Sequence, residues 1–541
     1  MTQKDEQESN ALVKRTNNGL VTSKGRRSQI RLTTDIIKAA ATLRTSSQAL
    51  VDESWMQEIW DWADKFEIED DIIPRNKADL TELESLRIYM CSYKRFYDCL
   101  QEKEEAENTL AADMEMRRKI YEECGGLSSP SDTITLMTKI RDLNNEVERL
   151  KKIFFVTNKM NYIPVEFNHL QKFKEIDVRG AESINFIKNA QLLINLRSFA
   201  AYGCSINNFF DKICELKQLT DITIVASDTI NIPQCIHQLK NLTKLIIENC
   251  GLITNPEEIY KLTHLKFLNM MGTKLSFLSE SIGNFSILEK LNVQRNQLNS
   301  LPESIANLSS LKTLDIASNQ LNSLPESISN LSSLETLNIR YNQLNSLPES
   351  IGNLSSLKTL DIRGNQLNSL PESISNLSSL KTLDIASNQL NSLPESISNL
   401  SSLETLDIRG NQLKSLPENI GNLSSLKTLN IDSNQLNSLP ESISNLSSLE
   451  TLNIRGDQLN SLPENIGNLS SLKTLNIGYN QLNSLPESIS NLSSLETLNI
   501  QGNQLNSLPE SLSSLKKLRV IYVYLNQDIS IPDSISHLIE Y

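Results

Sequence analysis

From about residue 150 onward, apolar residues recur in one fixed pattern. The segment Leu311-Lys-Thr-Leu-Asp-Ile-Ala-Ser-Asn319-Gln-Leu321 has the form L-x-x-L-x-L-x-x-N-x-L, and it continues through Leu324-Pro325, Ile328 and Leu331 before restarting at Leu334. Steps of 23 residues reach Leu357, Leu380, Leu403, Leu426, Leu449, Leu472, Leu495 and Leu518. Backward steps reach Leu288, Leu265, Leu242, Leu219, Leu196, Phe173 and Leu150, so (518 − 150)/23 + 1 = 17 repeats stand in unbroken phase. Positions 1, 4 and 6 of each repeat are apolar around mostly polar positions 3, 5 and 7, which predicts a short strand with one buried side. Positions 11, 14, 18 and 21 are apolar on the return path. Proline at position 15, as at Pro164, Pro233, Pro256, Pro325 and Pro532, has no N–H and a fixed φ, which suits a turn or helical start.

No 23-residue repeat can shelter its own apolar residues, so stability must come from stacking on neighbours. Asparagine at position 9 carries both a donor and an acceptor and sits where the strand bends away. Asn319, Asn342, Asn365, Asn388, Asn411, Asn434, Asn480 and Asn503 are therefore expected to bridge backbone groups of successive repeats as a structural ladder. Cys204 and Cys250 occupy the same position in earlier repeats, and Ala181, Ser227 and Thr273 stand there without an amide.

These residues resemble the leucine-rich-repeat family. The Leu-Pro-x-x-Ile-x-x-Leu half-repeat is most similar to the 23-residue class related to the intracellular Ras-group type, and a bacterial source is expected. The resemblance covers residues 150–541. It implies an α/β solenoid, a horseshoe with parallel strands on the concave face, and a protein-binding role.

The preceding residues read differently. Residues 1–50 hold nine Lys/Arg against four Asp/Glu and are expected to be a basic, disordered head with one weak helix near Ile36–Leu43. An uncleaved export signal and a contact with an anionic surface are the sharper readings. Residues 51–149 reverse the sign, with 13 Lys/Arg against 25 Asp/Glu, and form a mainly helical N-terminal region. Trp55, Ile59, Trp62, Ala63 and Phe66 mark one helix face, read as core. Ile73-Pro74, Leu80, Leu83, Leu86, Ile88 and Cys91 match the second half of one repeat and the start of another, a degenerate repeat. Phe96 to Tyr121 suggests a long charged helix, and Leu136, Ile140, Leu143 and Val147 a helix that covers the first repeat. At the far end, Asp528 replaces leucine at position 11, an inward charge of the kind that blunts a sheet edge.

Composition narrows the function. A net charge of −13 argues against nucleic-acid binding, and no apolar run is long enough to span a bilayer. The first twenty residues contain no apolar stretch typical of a secretory signal. The seven cysteines form no C-x-x-C pair and are odd in number, so they read as reduced thiols of a cytosolic protein. His169, His237, His264 and His537 are scattered singly. No phosphate-binding loop or dinucleotide fingerprint occurs, nor the Cys-x-Asp motif of repeat-bearing bacterial ubiquitin ligases, so no enzyme activity, metal or cofactor is expected. The recurring Asn-Leu-Ser at Asn330, Asn353 and Asn376 has the form of a glycosylation acceptor but reads as repeat architecture.

What remains is the outward strand surface. At position 2, Lys312, Glu335, Lys358, Lys381, Glu404, Lys427, Glu450, Lys473 and Glu496 should largely neutralise one another across strands about 4.8 Å apart. Position 5 carries Asp315, Asp361, Asp384 and Asp407. Position 7 carries Arg340, Arg363, Arg409 and Arg455, and position 8 adds Tyr341 and Tyr479. Arginine and tyrosine are enriched at binding hot spots, and seventeen strands would span about 75 Å. The expected function is a monomeric, cytoplasmic, non-enzymatic scaffold that binds a protein on the concave face. The alternative is an effector exported into a host cell, with residues 1–149 carrying export or activity. Because early repeats lack the position-9 amide, backbone amides across residues 173–280 should exchange with solvent faster than those beyond 288. Slower exchange in the early repeats would contradict the ladder argument.

Overall fold

The computed structural model describes residues 54–65, 73–75, 80, 85–89, 174–179, 195–203, 212–526 and 529–540. The disordered head, the long charged helix, the covering helix, the first repeat at Leu150 and Asp528 lie outside these residues. The chain divides into two compact parts, residues 1–259 and 260–541.

In the first part, the helix Ser54–Lys65 buries Met56, Ile59 and Ala63 at i, i+3 and i+7. Its Trp60 Nε1 donates to the Pro74 carbonyl at 3.0 Å, and Arg75 donates to the Trp60 carbonyl at 3.0 Å while pairing with Asp64 at 2.8 Å. Ile73 and Leu80 are fully buried. The strand Ser85–Tyr89 then runs parallel to Glu175–Arg179, with Leu86 opposite Ile176 and Ile88 opposite Val178. The segment read as a degenerate repeat thus contributes a strand. Glu175–Arg179 has Ser198–Tyr202 on its other side. Asp221–Val225 and Lys244–Glu248 follow in parallel, each displaced by 23 residues from the last. Ile230–Asn231 and Ile253–Thr254 form a second small parallel pair.

The cysteines correct the expectation of reduced thiols throughout. Cys214 and Cys235 are joined by a disulfide, while Cys250 is free and buried. A separation of 21 residues gives no hint of proximity by itself. Once the chain coils with a period of 23, positions 19 and 17 of successive repeats become neighbours, with Cα atoms 5.8 Å apart.

In the second part, three-residue strands recur in parallel, from Phe267–Asn269 through Thr313–Asp315 and Thr405–Asp407 to Val520–Tyr522, at a register of 23 residues. The last pairing breaks this period, because Ile539 lies opposite Ile521. Leu311, Leu314, Ile316, Leu321, Ile328 and Leu331 are fully buried, and equivalent residues behave alike in each repeat. The return path holds short 3-10 helices such as Glu326–Asn330, entered from an extended Pro325. Too few residues lie between that proline and the next strand for a longer helix, and i→i+3 bonds close the turn, Ile328 N–H to Pro325 at 3.1 Å and Leu331 N–H to Ile328 at 3.2 Å.

The position-9 asparagines make two ties to the preceding repeat and a further one within their own. Asn388 Nδ2 donates to Ile362 O of the preceding repeat at 3.2 Å and to Ile385 O of its own at 3.0 Å, while its Oδ1 accepts from Leu367 N–H at 3.0 Å. Asn319, Asn342, Asn365, Asn411 and Asn503 repeat this arrangement. Asn434 and Asn480 do the same, and Asn296 and Asn526 extend the ladder in both directions. Asn388→Ala leaves the Leu367 N–H buried without its acceptor and should cost about 1–3 kcal/mol of local stability. Unchanged amide exchange at Leu367 and in the strand Thr382–Asp384 would contradict this.

Candidate functional site

The outward side of the strands in residues 260–541 carries the polar residues that differ from repeat to repeat. At position 2 the charges pair across strands. Lys312 lies 2.9 Å from Glu289, Lys358 2.8 Å from Glu335 and Lys473 2.6 Å from Glu450, while Glu404 takes both Lys381 at 3.0 Å and Lys427 at 2.7 Å. Bonding to these lysines holds the Glu404 carboxyl below its ordinary value. These pairs are exposed and contribute little to stability.

Position 5 has a role that sequence reading missed. Its side-chain oxygen accepts the backbone N–H two residues on, at 3.3 Å in Asp361 to Arg363, 3.1 Å in Asp384 to Ala386 and 3.2 Å in Asp407 to Arg409. Asn292, Asn338 and Asn476 do the same, so aspartate and asparagine both serve as a brace where the strand ends. The second oxygen remains for neighbours. Arg363 bridges Asp361 at 2.9 Å and Asp384 at 3.5 Å, Arg340 approaches Asp361 at 3.8 Å, and Arg409 lies 3.5 Å from Asp407. Asp315 instead accepts Asn338 Nδ2 at 3.2 Å. Burial raises the Asp384 carboxyl, helped by the flanking Asp361 and Asp407 and opposed by Arg363. The Nε atoms of Arg340, Arg363 and Arg455 are shielded and find no acceptor among the described residues, so these side chains lie along the face rather than standing off it.

Position 8 is left-handed in every described repeat. Glycine takes it at Gly364, Gly410, Gly456 and Gly502, whereas Tyr341 and Tyr479 hold φ of 54° with a full side chain. The recurring glycine was the available sequence signal. Tyr341 is 56% exposed, and its ring lies so close to Gly364 that a Cβ there would come within 2.5 Å of it. Tyr479 likewise lies against Gly502 and carries the Arg455 guanidinium 4.6 Å above its ring centre. The structure therefore brings Arg340, Tyr341, Asp361, Arg363, Asp384, Asp407 and Arg409 together on adjacent strands, with Arg455 and Tyr479 farther along the same face.

No catalytic or metal cluster emerges among the described residues: no three His, Cys, Asp or Glu side chains converge, and His237, His264 and His537 are exposed on separate repeats. No helix among them is long and apolar enough to cross a membrane.

The Leucine-rich repeat region profile matches residues 225–341, 336–408, 372–462, 418–481 and 458–540, together more than half of the chain. The chain is a leucine-rich-repeat protein. It is similar to a Leptospira interrogans leucine-rich-repeat protein of known structure, with 31% identity, a TM-score of 0.58, and coverage of 71% of this chain and 93% of that one. A TDR receptor is similar at 25% identity and a TM-score of 0.54, covering 71% of this chain and 77% of its own. The Drosophila Toll–Spatzle complex, at 19% identity, a TM-score of 0.56 and coverage of 69% and 57%, shares the fold alone. Comparison with curated proteins gives no match. Leucine-rich-repeat proteins generally mediate protein–protein interaction, typically without enzyme activity.

One repeat of this leucine-rich-repeat protein breaks its own ladder. Asp457 replaces the position-9 asparagine and is only 7% exposed. Its Oδ1 accepts from Leu436 N–H at 2.8 Å, but Oδ2 has no partner. An ionised carboxylate cannot donate to Ile431 O and Ile454 O as an amide would, whereas a protonated one can donate once. Burial pushes its carboxyl up to about 7 from an ordinary 3.8. The folded chain thus holds the proton more tightly than the unfolded one, and stability should fall as pH rises from about 4 through about 7, with the full penalty above that range. Asp457→Asn should gain about 1–3 kcal/mol at pH 8 and converge on the parent near pH 4. Equal urea midpoints for the two proteins at pH 8 would refute the assignment.

Proposed function

We propose that this protein is a non-enzymatic scaffold that binds a protein partner on the strand face, centred on Arg340, Tyr341, Asp361, Arg363, Asp384, Asp407 and Arg409 and extending to Arg455 and Tyr479. One observation carries the reading. Tyr341 and Tyr479 are bulky residues at positive φ, a conformation that costs about 1–3 kcal/mol, at a position where neighbouring repeats use glycine or serine. Ser318, Ser387 and Ser433 share that backbone conformation, so what sets Tyr341 and Tyr479 apart is the aromatic ring they place there. An aromatic anchor beside arginines, on a face otherwise repeated almost without change, is what a recognition surface needs.

The Leu-Pro-x-x-Ile half-repeat supports the class related to the intracellular Ras-group type, and the likeness to the Leptospira protein supports a bacterial source. The organisation we propose is a basic head at 1–50, a mainly helical region at 51–149 and the repeats at 150–541, acting as a monomer. Cytoplasmic residence was the first expectation. The Cys214–Cys235 disulfide favours the alternative, an exported effector whose repeats choose a host target while residues 1–149 carry export or activity, because disulfides persist mainly in oxidising surroundings.

The test is affinity capture with the full chain, identification of the partner, and a binding titration with variants. Tyr341→Ser, which installs the residue other repeats use, and the double reversal Arg363→Glu with Arg409→Glu should each weaken binding about tenfold or more. Retention of every captured partner by both variants would overturn the strand-face assignment.

A further inference from the structure

We propose that Cys214 and Cys235 form a redox-controlled tie that replaces, in the repeats beginning at Leu196 and Leu219, the link asparagine provides from residue 296 onward. Position 9 of the repeats beginning at Leu196, Leu219 and Leu242 holds Cys204, Ser227 and Cys250, none of which carries an amide. Ser227 Oγ is buried with no hydrogen-bond partner. The Cys250 thiol does tie to the preceding repeat through the Ile224 carbonyl at 3.8 Å and to the Glu248 carbonyl at 3.3 Å, but a thiol is a weak donor. The step from Ser198–Tyr202 to Asp221–Val225, which Ser227 would span, therefore lacks the position-9 bridge that fastens the later repeats to one another, and the Thr220 hydroxyl donates across it instead, to the Arg197 carbonyl at 3.1 Å.

The disulfide stands where that bridge is missing, but on the return path. Cys214 lies in the 3-10 turn Ile213–Glu215 and Cys235 in the next, Gln234–Gln238, so the bond joins two successive repeats directly. Exposed contacts join the same two turns: Lys217 Nζ with Gln238, and Asn241 Nδ2 donating to the Lys217 carbonyl at 2.9 Å. Neither is a substitute, since both compete with water.

Accessibility sets the chemistry. Cys214 is 4% exposed and Cys235 is half-buried. The Cys235 thiolate can attack an oxidised dithiol carrier, forming a mixed disulfide and releasing one carrier thiol. The Cys214 thiolate then attacks the Cys235 sulfur and releases the second carrier thiol, so two protein thiols are oxidised and one carrier disulfide is reduced. A reduced dithiol runs the sequence backward. Cys250 stays out of the exchange, because burial pushes its thiol up to about 11 and leaves little thiolate. The repeats from 196 to 248 are thus tightly stacked under oxidising conditions and loosened under reducing ones, while the asparagine-linked repeats are indifferent.

The experiment uses the full chain, equilibrated in a glutathione buffer of oxidising poise and then reduced with dithiothreitol. Thiol alkylation with mass spectrometry should recover a peptide linked through Cys214 and Cys235 only before reduction. Reduction should speed amide exchange in 198–202, 221–225 and 244–248 about a hundredfold and leave 313–499 unchanged. The double variant Cys214→Ser with Cys235→Ser should exchange like the reduced parent and ignore dithiothreitol; should it not fold, a dithiothreitol titration of the parent gives the same readout. Alkylation of both thiols in the oxidising buffer, or a broken bond with unchanged exchange, would overturn the proposal.

Discussion

Each repeat is incomplete without its neighbour, and the position-9 asparagine shows why most sharply. Its amide donates to carbonyls of two repeats and its carbonyl accepts from the preceding one, as at Asn388, so removing a neighbour strands buried polar groups as well as apolar ones. The leucines supply most of the favourable burial, but burial is indifferent to small slips. The amide is directional. It holds successive strands at a register of 23 residues, and every surface property follows from that register.

The register turns a one-dimensional sequence into parallel rows. Position-2 charges meet their opposites, position-5 side chains brace the strand end, and position 7 lays arginines beside aspartates on adjacent strands. Position 8 must turn left-handed to leave the strand, which glycine does without strain and tyrosine does not. The face therefore combines two kinds of residue. Most are committed to holding the stack together, and a few, above all Tyr341, present a large exposed side chain.

Departures from the asparagine rule are informative for the same reason. Asp457 keeps the acceptor and loses the donor, so a stacking position becomes a buried acid that titrates near neutrality. Ser227 and Cys250 lose the amide altogether, and the repeat of Ser227 is joined to the preceding one by a covalent bond. A weakened ladder and an added tie occur together in residues 196–250.

The sequence by itself determined the period, the buried and exposed sides and the composition of the outward face, because a repeat of constant length forces equivalent residues into equivalent places. Leu314, Ile316 and Asn319 could be assigned without coordinates, as could the charge pairing of Lys358 with Glu335. Local backbone demands were legible only in part: the glycines at 364, 410, 456 and 502 marked a special conformation, but the tyrosines sharing it hid its uniformity. The position-5 brace was invisible because aspartate and asparagine perform it alike and look like ordinary surface residues. Contacts that depend on the path of the chain were decided by the tertiary structure alone. Ser85–Tyr89 lies beside Glu175–Arg179 across ninety residues of sequence, and Cys214 meets Cys235 only because one full turn of the solenoid brings two return segments side by side. Periodicity specifies which way a residue faces, whereas which neighbour it meets depends on where the intervening chain goes.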